Sequence, residues 1–334
     1  MTIHATPAGR LLDVRDLTIE IDTRRGPAVI VDGIDLHVDR GETLGIVGES
    51  GCGKSLTMLS LMRLLPNRIK VAKGSARFAG RDLQTMSNAE LRKVRGGDVG
   101  FVFQDPMTSL NPVMRIGAQL AEPLRYHRGL SKQEARKRAG ELLRLVGIPG
   151  AEERLDAYPH ELSGGMRQRV MIAIGLACDP QLLIADEPTT ALDVTIQAQI
   201  VELVKSLRDR LGMSVVWITH DLALIAGLAD RVNVLYAGTV VEDAPVDALF
   251  SAPAHPYTRG LLASIPKLSD SRVDRLASIG GTPPEPGRRP QGCPFAPRCP
   301  LAEPVCHERV PRLEPLAGAH RVACFVAHRQ KEAA

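Results

Sequence analysis

The run Gly48-Glu49-Ser50-Gly51-Cys52-Gly53-Lys54-Ser55 sets a glycine, four further residues and then Gly-Lys-Ser directly after the apolar stretch Leu44 to Val47 and before a helical pattern. Glycines at these positions let the backbone curl so that successive amide hydrogens point inward at phosphate oxygens, and the following helix adds the partial positive charge of its N-terminus. In such a cradle Lys54 reaches the β and γ phosphates of a nucleoside triphosphate, and the Ser55 hydroxyl ligates magnesium. An ordinary glycine turn would not require a strand on one side and a helix on the other. Cys52 fills a variable position of the loop, and no redox role is assigned to it.

A second chemical centre closes the apolar run Leu182-Leu183-Ile184-Ala185, which ends in Asp186-Glu187. A carboxylate at a strand end beside a phosphate loop can hold magnesium, and its neighbour can orient or deprotonate an attacking water. Asp186 is the candidate for the metal and Glu187 for the general base. Taken alone, such a pair is more often just a polar strand end; next to a phosphate loop, chemistry is the better reading.

Leu162-Ser163-Gly164-Gly165-Met166-Arg167-Gln168-Arg169, immediately before the apolar helical run Val170 to Ala177, resembles the signature of ATP-binding cassette proteins. Its amides sit where a helix N-terminus can cap a γ-phosphate. Further matches follow in the family's order. Gln104, in Phe101-Val102-Phe103-Gln104-Asp105, resembles the Q-loop glutamine that senses magnesium and the γ-phosphate. Asp193, in Ala191-Leu192-Asp193, resembles the D-loop aspartate, and His220, after Val215 to Thr219, resembles the switch histidine.

The resemblance implies an α/β fold: a phosphate-loop NTPase cassette with a mixed sheet core, an antiparallel β part and a helical subdomain. It implies ATP and Mg2+ as ligands, with Ser55, Gln104 and Asp186 around the metal and Glu187, Gln104 and His220 around the reacting phosphate. It implies that two cassettes close head to tail, so that Leu162, Ser163, Gly164, Gly165 and Gln168 act on ATP held by the partner. A subunit alone would then hydrolyse ATP slowly. One departure stands out: cassettes commonly stack adenine on an upstream aromatic, and no Phe, Tyr or Trp precedes Phe78. Ile21 or Val29 can offer an apolar surface instead, and the sequence does not choose between them.

These groups need a scaffold, and the chain supplies the pattern for one. From Leu11 to about Val240 short β-rich runs alternate with helical patterns, as in a sheet wrapped by crossover helices. Thr43 to Val47, Leu182 to Ala185 and Ser214 to Thr219 read as strands. Ser55 to Leu65, stopped by Pro66, and Ser131 to Val146, opened by the capping-box spacing Ser131 to Glu134 and ended at Gly147, read as helices. On the second helix Arg136, Lys137 and Arg138 form a solvated face opposite Ala135, Ala139, Leu142 and Val146. The cassette is expected over residues 11–250, with its helical subdomain at about 105–176.

Residues 251–334 read as an appended, loop-rich region: 14 of the 24 prolines lie from Pro245 onward. His255-Pro256-Tyr257-Thr258, then Leu261-Leu262 and a cysteine-rich end, resemble the oligopeptide and dipeptide importer subfamily. Cys293, Cys299, Cys306 and Cys324 follow one another at intervals of 6, 7 and 18 positions. Four thiolates suit an iron–sulfur cluster or a structural zinc, and free thiols or a disulfide remain open. The subfamily resemblance implies a 4Fe-4S cluster, with a structural role as the default. A region so poor in long apolar runs gains from such a staple.

Composition narrows the class of function. The formal net charge of +4 is spread along a chain of 334 residues, with no basic stripe of the kind nucleic acid demands. No apolar run approaches the roughly 20 residues of a membrane span, and Met1 to Arg10 shows no secretory signal. A cytoplasmic address is thus expected, where thiols stay reduced, and the resemblance implies a place at the cytoplasmic face of the membrane. The resemblance implies, as partners, a second ATPase subunit, favoured as non-identical over a second copy of this chain, two permease subunits and an extracytoplasmic solute-binding protein; no nucleic-acid partner is expected. Peptides are the implied cargo; nickel complexes and oligosaccharides use similar machinery.

Two other classes fit less well. Cassette ATPases of chromosomes insert long coiled coils between phosphate loop and signature, whereas Lys54 and Ser163 are 109 positions apart without sustained heptads. Translation factors carry two cassettes in one chain. An iron–sulfur redox enzyme leaves the complete ATPase set unexplained.

Overall fold

The computed structural model describes residues 9–190, 192–265 and 278–332. The expectation about Met1 to Arg10 falls almost wholly outside them, as do Ala191 of the Ala191-Leu192-Asp193 motif and residues 266–277 and 333–334 of the appended region. The chain divides into two units, one of residues 1–38, 43–84 and 219–334 and the other of 39–42 and 85–218.

In the first unit the strand Thr43–Val47 pairs in parallel with Arg231–Tyr236, Leu44 opposite Arg231 and Val47 opposite Val234. Every residue of both strands is buried, as expected where a parallel strand is covered on both faces. The ribbon continues antiparallel through Thr239–Pro245 and His320–Val322 to Glu314–Ala317. The last two strands belong to the region expected to be loop-rich. They are too short to announce themselves by alternation and exist because Thr239–Pro245 offers an edge to pair with. A separate sheet, ordered Gly26–Asp39, Arg10–Thr23, Ile69–Phe78, Arg81–Asp82, forms the antiparallel part.

The helix after the phosphate loop spans Lys54–Leu61, four residues shorter than Pro66 alone would dictate. Arg63 takes a left-handed φ of 47°, its N–H donates to Ser60 O and that of Leu64 to Leu59 O, the paired bonds of a Schellman stop. Glycine normally fills that position; here the Arg63 guanidinium holds the turn by donating to the carbonyls of Leu83 and Gln84.

The appended region is anchored through His255-Pro256-Tyr257-Thr258. His255 is extended, as a residue before proline should be, and its Nδ1 accepts from Tyr257 N at 3.1 Å, capping the helix Pro256–Ala263. The fully buried Glu242 accepts from the N–H groups of Ala254 and His255 at 2.7 and 2.9 Å and meets His320 Nε2 at 2.7 Å. Burial alone would raise that carboxyl; His320, Thr258 and the two amides outweigh it and hold it below the ordinary glutamate range.

In the second unit Ser214–Thr219, Leu182–Asp186 and Val99–Val102 pair in parallel, Asp186 opposite Ile218 and Phe101 opposite Ile184. The helices Ile116–Arg128, Lys132–Leu145 and Gly164–Leu176 pack on one another. Lys132–Leu145 opens with both bonds of the capping box, Ser131 N to Glu134 Oε2 at 2.9 Å and Glu134 N to Ser131 Oγ at 3.3 Å. It buries Ala135, Ala139, Leu142 and Leu143, while Arg136 pairs with Asp156 in solvent. Among the described residues no helix is long and apolar enough to cross a membrane.

Candidate functional site: a phosphate cradle and a carboxylate centre

The first unit carries the cradle. Gly51 and Gly53 adopt φ of 79° and 99°, which curls the segment into the start of the helix Lys54–Leu61. Gly48 is required by crowding: a Cβ there would stand 2.2 Å from Leu235 O and 2.8 Å from Cys52 Sγ. The buried Lys54 bends back over the loop, its Nζ donating to Gly48 O at 2.8 Å and Glu49 O at 3.1 Å. An ammonium is thereby fixed against the carbonyls of the loop, with three donors on a compact charge that can face phosphate. Ser55 follows it at the first turn. Burial raises the Cys52 thiol, only partly offset by the Lys54 charge, so it packs as a neutral group.

His220 lies in the same unit, exposed, directly after the strand Ser214–Thr219. It opens a turn in which Thr219 Oγ1 accepts from Asp221 N at 3.0 Å. Ile21 and Val29 are both half-buried, so burial does not single out either as the adenine surface.

The second unit carries the carboxylates and assembles them tightly. Asp186 closes the strand Leu182–Asp186 and is buried. Glu187, the next residue, takes a left-handed φ of 43°, and its N–H donates to Ile218 O at 3.0 Å. A non-glycine residue held in that region is locally strained, and such strain persists where surrounding bonds over-determine it. Here they do: Gln104 Nε2 and Thr190 Oγ1 both donate to Glu187 Oε2, at 3.2 and 2.9 Å. Gln104 and Thr190 thus meet at Glu187, directly after Asp186 in the chain, and no sequence signal pointed to Thr190.

The residues that resemble the signature lie beside those that resemble the D-loop. Ser163 Oγ accepts from Met166 N at 3.3 Å and caps the helix Gly164–Leu176. Asp193 Oδ1 accepts from Ile196 N at 2.9 Å and caps the helix Val194–Leu211. The two helix starts touch at Gly165, where a Cβ would lie 3.1 Å from Ile196 Cγ2. Leu162 and Gln168 are buried behind them, and among the described residues Gln168 Nε2 meets no hydrogen-bond partner. Ser163 and Gly164 are exposed and Gly165 half-buried at a helix N-terminus that can receive an anion.

The four cysteines of the appended region are free thiols. Cys293 N donates to Cys306 O at 2.8 Å. Burial raises Cys293 to about 11, and the neighbouring Cys306 and Cys324 add to the shift. Burial likewise raises Cys299, with Cys324 and Cys306 contributing. Among the described residues, however, no three His, Cys, Asp or Glu side chains converge as ligands of a single metal ion.

Tyr257 and Arg298, both from the appended region, reach the phosphate loop at Glu49. Neither contact is visible in sequence, since no spacing rule links positions so far apart.

A family model described as ABC transporter matches residues 31–190, and one described as Oligopeptide/dipeptide transporter, C-terminal region, matches 241–306. A relative from Brucella abortus is 53% identical over 324 residues, 97% of each chain. The oligopeptide transport ATP-binding protein AppD of Bacillus subtilis is 51% identical over 317 residues, 95% of this chain and 96% of its own. Among solved structures, a dimeric ATP-binding cassette in a post-hydrolysis state bound to ADP and Pi is 30% identical, with a TM-score of 0.64 over 70% of this chain and 98% of its own.

Proposed function

The chain belongs to the ABC transporter family of ATPases, and from that premise we propose that it is the ATP-hydrolysing subunit of an importer of dipeptides or oligopeptides, peripheral to the membrane. One observation carries the reading: Glu187 is held by Gln104 and Thr190 at the end of an apolar strand, in a chain whose C-terminal part matches the oligopeptide/dipeptide transporter region.

The roles follow from chemistry. The amides of Gly48, Glu49, Ser50, Gly51, Cys52 and Gly53 and the ammonium of Lys54 bind the phosphates. Ser55, Asp186 and Gln104 would hold magnesium, which would supply positive charge to offset that developing on the transferred phosphoryl group. Glu187 takes the proton of the attacking water, and His220 contacts the γ-phosphate. Leu162, Ser163, Gly164, Gly165 and Gln168 act on ATP held by a second cassette, with Asp193 communicating across the pair.

Residues 11–250 form the nucleotide-binding domain, with the helical subdomain at about 105–176, and 251–334 the extension. The second cassette is non-identical, two permease subunits receive the motion, and a solute-binding protein delivers the peptide. Cys293, Cys299, Cys306 and Cys324 hold a 4Fe-4S cluster. Four free thiols supply the number of ligands such a cluster takes. The cluster supplies a staple for the extension.

Reconstitution tests the whole. With its permeases and partner cassette, the chain should drive ATP-dependent uptake of labelled peptide into vesicles, and Glu187→Gln should stop it. Uptake of nickel complexes or oligosaccharides with peptides excluded would overturn the assignment of cargo.

A further inference from the structure

The phosphate loop contains a charge that works against its ligand. Glu49 is its second residue, and a carboxylate beside a bound triphosphate repels it. Its field reaches the inside of the loop, being one of the charges that raise the Cys52 thiol. The extension supplies the counter-charge. Arg298 Nη1 lies 2.7 Å from Glu49 Oε2 and Nη2 lies 2.9 Å from Oε1, a parallel two-bond fork.

The fork is firmly placed. Arg298 Nε donates to Gly280 O at 2.8 Å, Nη2 also to Ile279 O at 3.2 Å, and Nη1 also to Tyr236 Oη at 3.3 Å. All five N–H groups of the guanidinium are thereby engaged, and its Cζ lies 5.7 Å from the centroid of the Tyr236 ring. The Arg298 side chain is 5% exposed and that of Glu49 27%. Tyr257, buried against Tyr236 and Phe295, accepts the Glu49 N–H at 2.9 Å. The loop residue is held at its amide and at its carboxylate by the extension.

We propose that Arg298 is a positioning residue for ATP: by its fork on Glu49 it holds that carboxylate off the triphosphate and cancels its charge, which makes the extension part of the nucleotide site. The inference rests on the reading that the loop binds ATP. A purely structural staple would behave differently, since loss of either partner would lower stability alike and neither loss would repair the other.

The test is Mg-ATP affinity of the full chain, read with a fluorescent ATP analogue, alongside the melting temperature of each nucleotide-free variant. Arg298→Ala leaves an uncompensated carboxylate and should raise Kd about tenfold or more. Glu49→Gln leaves the cation and should lower Kd. The double variant should return to within about threefold of the wild type. Arg298→Lys keeps charge but loses the fork and should fall between; if Arg298→Ala does not fold, Arg298→Lys with and without Glu49→Gln makes the same comparison. The proposal is overturned if the arginine variants bind as the wild type does, or if Glu49→Gln weakens binding and rescues neither. A wild-type chain that binds no Mg-ATP would instead remove the nucleotide-site reading beneath it.

Discussion

Gln104 Nε2 donates to Glu187 Oε2 across 3.2 Å, joining the residue at the strand exit Val99–Val102 to the carboxylate at the strand exit Leu182–Asp186. Thr190 Oγ1 donates to the same oxygen at 2.9 Å, so two side chains orient the carboxylate. Glu187→Gln preserves the shape and removes the base. Hydrolysis by the assembled transporter, followed by phosphate release, should fall at least about 100-fold, while nucleotide binding persists and the closed pair accumulates. Turnover within a few-fold of the wild type would remove Glu187 from the general-base role.

Gly48 and Gly51 should respond differently to alanine although both belong to the loop. At Gly51 a Cβ meets nothing within 4 Å, so the effect is the left-handed φ of 79° alone, about 1–2 kcal/mol. At Gly48 the Cβ would meet the backbone oxygen of Leu235 at 2.2 Å, which cannot rotate away. The loop itself must then move, adding overpacking strain of about 1–3 kcal/mol. Gly48→Ala should therefore lose more Mg-ATP affinity than Gly51→Ala; titration of both variants, each with its own melting curve, decides the order.

What the sequence disclosed follows from the range of the interaction. The phosphate loop, Asp186-Glu187 and the capping box at Ser131 are local patterns whose spacing is itself the physics. Arg298 pairs with Glu49 across 249 positions, and nothing near Arg298 distinguishes it from any arginine between a proline and a cysteine. The early stop of Lys54–Leu61 was hidden for a related reason: the left-handed turn at Arg63 is stabilised by Leu83 and Gln84 carbonyls, partners that local propensity does not contain. The strands Glu314–Ala317 and His320–Val322 likewise owe their existence to a distant edge.

His255 supplies a pH dependence of stability. Burial lowers it from the ordinary value of 6.5 to about 4, with Arg259 acting in the same sense and Glu242 opposing. The unfolded chain therefore takes up the proton first. The stabilisation is whole above about pH 6.5 and is lost as pH falls towards 4, at about 1.4 kcal/mol per pH unit. Between pH 7 and 5 the loss from this residue should be about 2 kcal/mol. His255→Asn keeps an acceptor at the helix start and does not titrate, so its urea midpoint should fall less over the same interval. Burial also lowers His127, but equally in both proteins, so the difference between them isolates His255. Parallel slopes would show that His255 is not the responsible group.

The cysteine cluster makes the last prediction, because its thiols and its proposed ligand demand opposite protonation states. Burial raises all four thiols, Cys293 to about 11, so without a metal they stay protonated near neutral pH and should alkylate slowly. Metal and cluster ligation require thiolates. Assembly must then release protons, and removal of iron should both uncolour the protein and lower its melting temperature by loosening the segment that carries Arg298. Anaerobic purification should give brown protein with iron and acid-labile sulfide in equal amounts, about four of each per chain. Cys293→Ser should lose colour while Cys178→Ser, outside the cluster, keeps it. Colourless protein with one zinc per chain would replace the iron–sulfur cluster by a single-ion site, and rapid alkylation of Cys293 at neutral pH would contradict its buried, protonated state.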